Sequence, residues 1–187
     1  MAMRELDQII NNQLTDKNTR HSYINTYKKL FNPIRFSSKN ILEIGIAGGG
    51  GALMFRDFFD NATVYCVDIG DRSDARSVLM NQERIVPFFN QNAYDLSFIN
   101  ENFNNKKFDI IVDDGPHTEE SQLFFLDHFS DLINPSGILI VEDVNGIDLA
   151  HRLINNTTSK LNLEIIDLRH ERVIKNYDNI LIIGRPN

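Results

Sequence analysis

The chain has 187 residues, 42% of them hydrophobic and 24% charged, which is close to a soluble globular average and enough to bury the core of one domain. The net charge of −7, with Lys28-Lys29 as the nearest thing to a basic cluster, argues against nucleic acid and anionic membrane as partners and fits a protein that takes up cations. The single Cys66 excludes a disulfide framework and a cysteine zinc cluster, no apolar run approaches the ~20 residues of a membrane span, and MAMRELDQII has no secretory pattern, so a cytoplasmic protein is expected.

Residues 5–31 carry apolar side chains at helical intervals: Leu6, Ile9, Ile10 and Leu14, then Tyr23, Ile24, Tyr27, Leu30 and Phe31. This predicts one or two helices, broken near Thr15-Asp16-Lys17-Asn18 and closed by Asn32-Pro33. Residues 41–44 then read as a buried strand that runs into Gly45-Ile46-Ala47-Gly48-Gly49-Gly50-Gly51 and a helix over 52–59. The alternation repeats: strands over 63–67, 85–89, 108–112 and 138–141, helices over 74–81, 96–102, 118–133 and 147–160, and a turn at Asn134-Pro135-Ser136-Gly137. Final strands over 163–168 and 180–183 are separated only by the turn-like segment 169–179, which favours an antiparallel edge hairpin. Strands alternating with helices give a parallel sheet. The expected fold is α/β: a Rossmann-like doubly wound sheet of about seven strands, mostly parallel with an antiparallel C-terminal hairpin. A helical extension or lid (1–36) would precede the core (37–187).

In open α/β sheets ligands bind at the carboxyl ends of the strands. There this chain has Asp68, then Asp113 and Asp114, then Glu142 and Asp143, with the glycine run after the first strand. One strand-end carboxylate often only caps the next helix. Five at three strand ends point to a shared crevice. Against G-x-G-x-x-G, the run starting at Gly45 has Ala47 in the second glycine place, a weak dinucleotide match. Glu43, two residues before Gly45, would repel a pyrophosphate and attract an ammonium or sulfonium. Asp68 suits ribose hydroxyls, as it would in a nicotinamide enzyme also. Asp114, Glu142 and Asp143 would offer a hard cation such as Mg²⁺ three carboxylates. Glu142 and Asp143 are sequence neighbours, so both reach one ion only if the chain has already left the strand. His117, three residues after Asp114, is a candidate general base. Tyr23 and Tyr27 read equally as lid or core, Asp95 as a helix cap, and His21, His128, His151 and His170 have no such context.

Glu43-Ile44-Gly45-Ile46-Ala47-Gly48-Gly49 followed by Val67-Asp68 resembles the cofactor signature of class I S-adenosylmethionine-dependent methyltransferases. Asp109-Ile110-Ile111-Val112-Asp113-Asp114-Gly115-Pro116-His117, with Asn134-Pro135-Ser136-Gly137 and the stretch to Glu142-Asp143, resembles the macrocin-type O-methyltransferases, as does Thr15-Asp16-Lys17-Asn18-Thr19-Arg20-His21-Ser22-Tyr23 with Tyr27. The resemblance covers most of the chain. It departs from the family pattern at Pro116, at Ser136 and at Gln91-Asn92-Ala93, where an amide stands for a carboxylate. The larger macrocin-type enzymes carry an extra N-terminal domain that is not in these residues.

The resemblance implies S-adenosylmethionine held by Glu43, Gly45, Ala47, Gly48, Asp68, Asn92, Ala93 and Asp113. It also implies a divalent cation, Mg²⁺, on Asp114, Glu142 and Asp143, and methylation of a sugar or glycan hydroxyl with His117 and Asp114 as catalytic residues. A small-molecule or glycan substrate and a homo-oligomer joined through N-terminal helices are the expected partners. A catechol-like acceptor, a nicotinamide-dependent oxidoreductase and a non-catalytic relative are the competing readings.

Overall fold

The computed structural model describes residues 4–171 and 178–187, so most of the predicted turn at 169–179 lies outside the described residues. Seven strands form one sheet: β1 (Asn40–Ile44), β2 (Thr63–Asp68), β3 (Ile85–Phe89), β4 (Phe108–Asp113), β5 (Ile133–Val141), β6 (Asn162–Asp167) and β7 (Ile180–Arg185). Their order is β3-β2-β1-β4-β5-β7-β6. The first five are parallel, and β7 runs antiparallel between β5 and β6. This is the expected doubly wound sheet, with the C-terminal hairpin entering by its second strand.

Helices α1 (Leu6–Ile9), α2 (Tyr23–Phe31), α3 (Gly50–Phe58) and α4 (Ser73–Leu79) contribute to the core on one face, and α5 (Leu96–Phe103), α6 (Glu119–Phe129) and α7 (Ile147–Asn156) to that on the other. Strand side chains alternate between these two cores. Ile41, Val64, Cys66, Ile110, Val112 and Ile140 face the first, while Leu42, Ile44, Val67, Ile111, Leu139 and Val141 face the second. Burial on both faces is why the central strands read as unbroken apolar runs. No helix among the described residues is long and apolar enough to cross a membrane.

Local chemistry sets the helix starts. Thr118 and Ser121 cap α6 reciprocally (Ser121 N to Thr118 Oγ1 3.1 Å, Thr118 N to Ser121 Oγ 3.2 Å). Asp95 caps α5 through Ser97 N at 2.8 Å, as expected. A 3-10 turn, Ser130–Leu132, ends the helix predicted over 118–133. The predicted turn at 134–137 is corrected: these residues lie within β5. They form an irregularity there, since the step from Phe108 to Ile110 on β4 faces the longer step from Ile133 to Ile138. Gly137 lies against the Phe108 and Asp109 carbonyls, and Asn134 Nδ2 donates to Asp109 Oδ1 at 2.7 Å. The turn residues bulge out of the strand without ending it.

The N-terminal residues are built into the core. Phe31 of α2 sits 4.7 Å from the Tyr27 ring, 5.9 Å from Phe55 and 5.5 Å from Phe59, centroid to centroid, with no exposure. Replacing Phe31 with Ala should therefore cost about 3–5 kcal/mol in urea unfolding, as for a central core aromatic.

Candidate active site

The carboxyl ends of β1, β2, β4 and β5 open onto one cleft of about 490 Å³. Four non-glycine residues that line it hold left-handed backbone: Ala47 (φ 44°), Arg72 (φ 44°), His117 (φ 56°) and Asp143 (φ 54°). Such conformations are costly and collect where a site needs side chains aimed against local preference. Gly45 (φ 89°) is required at the floor, because a Cβ there would run into the Asp114 carbonyl.

At one end of the cleft, Asp68 is fixed by its surroundings. Its Oδ2 accepts from Ile46 N at 2.9 Å, and its Oδ1 accepts from Gly70 N at 2.8 Å and faces Arg72 Nε at 3.0 Å. Burial pushes this carboxyl up, but the two backbone donors and Arg72 outweigh it and hold the group below the usual carboxylate range. Asn92 lines the same cavity, exposed, with its Oδ1 taking Tyr94 N at 3.0 Å. Ala93, Gly45 and Ala47 also line this cavity.

The residues between α1 and α2 cross the glycine run, with the Leu14 backbone against Gly48 and Gly50. They deliver Lys17, which is 1% exposed, to the centre of the strand ends. Its Nζ donates to Asp114 Oδ2 at 2.5 Å and to Glu142 Oε2 and Oε1 at 2.7 and 2.9 Å, and lies 3.7 Å from Glu43 Oε1. Burial opposes the ammonium, but Asp114, Glu142 and Glu43 outweigh it and hold Lys17 charged, well above its ordinary value. Glu43 is packed beneath Gly51, and burial pushes its carboxyl up to about 8 against the pull of Lys17. The Tyr27 hydroxyl donates to Glu142 Oε1.

Asp143 turns the other way. Its Oδ1 accepts from the Tyr23 hydroxyl at 2.5 Å and lies 3.5 Å from His21 Nδ1, while its Oδ2 lies 3.6 Å from His117 Nε2. His117 Nε2 is also 3.8 Å from Asp114 Oδ1. Burial lowers the His117 pKa in spite of Asp114, so the imidazole is neutral near pH 7. Burial, then Asp114, pushes the Asp143 carboxyl up to about 7. Ligand-capable atoms of Asp114, His117 and Asp143 all lie within 4.8 Å of one another. Two carboxylates and an imidazole at an open cleft, with more acid than Lys17 neutralises, suit a divalent cation.

The other expected site residues are placed as follows. The three proposed metal carboxylates divide: Asp114 and Asp143 reach the cleft, but Glu142 is buried on Lys17 and Tyr27. Both Glu142 and Asp143 lie beyond β5, yet they point apart. Glu43 faces the Lys17 ammonium and Gly51 rather than the larger cavity. Asp113 is buried and bonded to the Tyr94 hydroxyl, and burial pushes its carboxyl up to about 7. Gly48 packs on Leu14. Tyr23 and Tyr27 are core residues, and the hydroxyl of each also donates to a carboxylate, Asp143 and Glu142 respectively. Sequence reasoning missed Lys17 and His21 as site residues. The only signal for them was their place in the N-terminal motif.

A family model described as "Methyltransferase domain" matches residues 42–144. The demethylmacrocin O-methyltransferase of Streptomyces fradiae is 28% identical over 151 residues, 76% of this chain and 37% of that protein. The 8-demethyl-8-alpha-L-rhamnosyl tetracenomycin-C 2'-O-methyltransferase of Streptomyces olivaceus is 28% identical over 137 residues, 70% of this chain and 35% of that one. The chain thus spans about a third of the length of these curated relatives. The fold matches the solved MycE methyltransferase from the mycinamycin biosynthetic pathway, in complex with Mg, SAH and mycinamycin VI. That match has a TM-score of 0.73 and 19% identity, over 100% of this chain and 55% of that one.

The Lys17 cage makes a quantitative prediction. Lys17→Met should destabilise the protein by about 3–5 kcal/mol, because Glu142 and Asp114 lose the ammonium they are bonded to. Adding Glu142→Gln should restore part of that loss, and a double-mutant cycle in urea measures the coupling.

Proposed function

The chain belongs to the methyltransferase-domain family, and from that premise we propose that it moves the methyl group of S-adenosylmethionine to a hydroxyl of a sugar or glycan with the help of a divalent cation, Mg²⁺ being the candidate. The observation that carries this reading is a single cleft with a fixed ribose-type acceptor, Asp68, at one end and the Asp114–His117–Asp143 group at the other. The names of the two Streptomyces relatives, both O-methyltransferases and one of them acting on a rhamnosyl compound, support the acceptor class.

S-adenosylmethionine, when bound, supplies an electrophilic methyl on a sulfonium, and a divalent cation held by Asp114 and Asp143 would lower the pKa of an acceptor hydroxyl. The protein's own residues do the rest. Asp68 takes the ribose hydroxyls, with Arg72 and two backbone N–H groups keeping it ionised and in place. Gly45 and Ala47 let the backbone come close to the donor. Asp114, pinned through Oδ2 by Lys17, keeps Oδ1 turned to the acceptor end. Neutral His117 receives the hydroxyl proton at Nε2 as the oxygen–carbon bond forms and the carbon–sulfur bond breaks. Holding donor and acceptor in line supplies the remaining acceleration.

Titration calorimetry with S-adenosylhomocysteine tests the donor half. Wild type should bind, and Asp68→Asn should bind about tenfold to a hundredfold more weakly. Binding of NAD without S-adenosylhomocysteine would sink the reading. In an assay against a panel of sugar acceptors, EDTA should abolish methyl transfer and Mg²⁺ should restore it. His117→Ala should lower kcat by about 10²–10⁴-fold with the metal affinity kept. A loss of metal affinity instead would make His117 a ligand and not the base.

A further inference from the structure

We propose that a second divalent cation binds beside the first, held by His21 Nδ1, Asp143 and Asp178. Ligand-capable atoms of these three residues lie within 4.8 Å of one another. His21, 1% exposed, buries Nδ1 with no hydrogen-bond partner while aiming it at Asp143 Oδ1, 3.5 Å away. Asp178 Oδ1 is likewise buried without a partner. An imidazole nitrogen and a carboxylate oxygen left bare around one carboxylate are a cost to the fold unless something positive sits between them.

The surroundings fix this geometry in advance. His21 stacks on Tyr23 at 4.9 Å, and its Nε2 lies 3.7 Å from Asp16 Oδ2, the carboxylate-behind-imidazole arrangement that orients metal-binding histidines. Ser22 N donates to Asn179 Oδ1 at 3.1 Å, and the Tyr23 hydroxyl contacts both Asp143 Oδ1 and the Asp178 carbonyl, at 2.5 and 3.3 Å. These bonds dock residues 21–23 onto 178–179, so His21 and Asp178 meet by construction.

Asp143 belongs to both groups. Its Oδ2 faces His117 and its Oδ1 faces His21, so a single carboxylate can serve two ions on opposite oxygens. One imidazole with two carboxylates favours a cation of the Mn²⁺ type over Mg²⁺. Both groups line the same cleft.

The test is Mn²⁺ titrated alone into the whole chain, followed by calorimetry and by the EPR signal of free Mn²⁺. Wild type should take up two ions per chain, and Asp114→Asn should keep one. His21→Phe, which preserves the ring on Tyr23, should also keep only one, as should Asp178→Asn if the histidine variant fails to fold. Uptake of one ion, lost with Asp114→Asn and unchanged in His21→Phe and Asp178→Asn, overturns the second site and leaves the methyl-transfer reading standing. One ion lost in both His21→Phe and Asp114→Asn overturns it too, as does no uptake at all.

Discussion

An ammonium group cut off from water must be surrounded by negative charge or give up its proton, and this requirement organises the carboxyl edge of the sheet. Lys17 meets it at three strand ends: it is bonded to Asp114 after β4 and Glu142 after β5, and it lies 3.7 Å from Glu43 of β1. The lysine comes from outside the sheet, on residues that cross the glycine run, so the same contact that neutralises the strand ends also fastens the N-terminal residues to the core. The tyrosines of α2 extend the arrangement. Tyr27 and Tyr23 bring their hydroxyls up to Glu142 and Asp143 from a ring cluster that is itself buried.

The cage also divides the labour among the acids. Glu142 has both oxygens taken up by Lys17 and Tyr27, whereas Asp114 commits one oxygen to Lys17 and leaves the other facing His117. Asp143 escapes the lysine because its backbone turns left-handed immediately after Glu142. That single backbone conformation separates a buried charge pair from an open ligand cluster within two consecutive residues. Strain at Asp143 is tolerable because the flanking hydrogen bonds, Gln122 Nε2 to the Glu142 carbonyl at 3.0 Å and Glu142 N to the Asp113 carbonyl at 2.9 Å, hold the chain in place.

The sheet was legible in the sequence because each central strand is a short apolar run punctuated by glycine, proline or acid, and burial on both faces demands that pattern. The clustering of Asp68, Asp114, His117 and Asp143 was legible for a related reason: parallel topology puts all strand ends on one edge. What escaped was whatever depends on side-chain direction. Nothing in Glu142-Asp143 says that the first turns inward and the second outward. The stretch around Lys17 has no hydrophobic period, so it read as a break between helices, although its lysine is the most buried cation of the described residues. Residues 134–137 have turn chemistry, yet the ladder to β4 resumes after them and absorbs them as a bulge.

The order of the strands has a consequence for biosynthesis. β6 is made before β7 but touches the sheet only through it, so on the ribosome β6 emerges with no strand to pair with and must wait for its successor. Asp178 and Asn179 lead directly into β7 and dock onto residues 21–23. The nascent chain therefore closes its sheet and brings Asp178 to its cleft in the same event, and before that event it has neither.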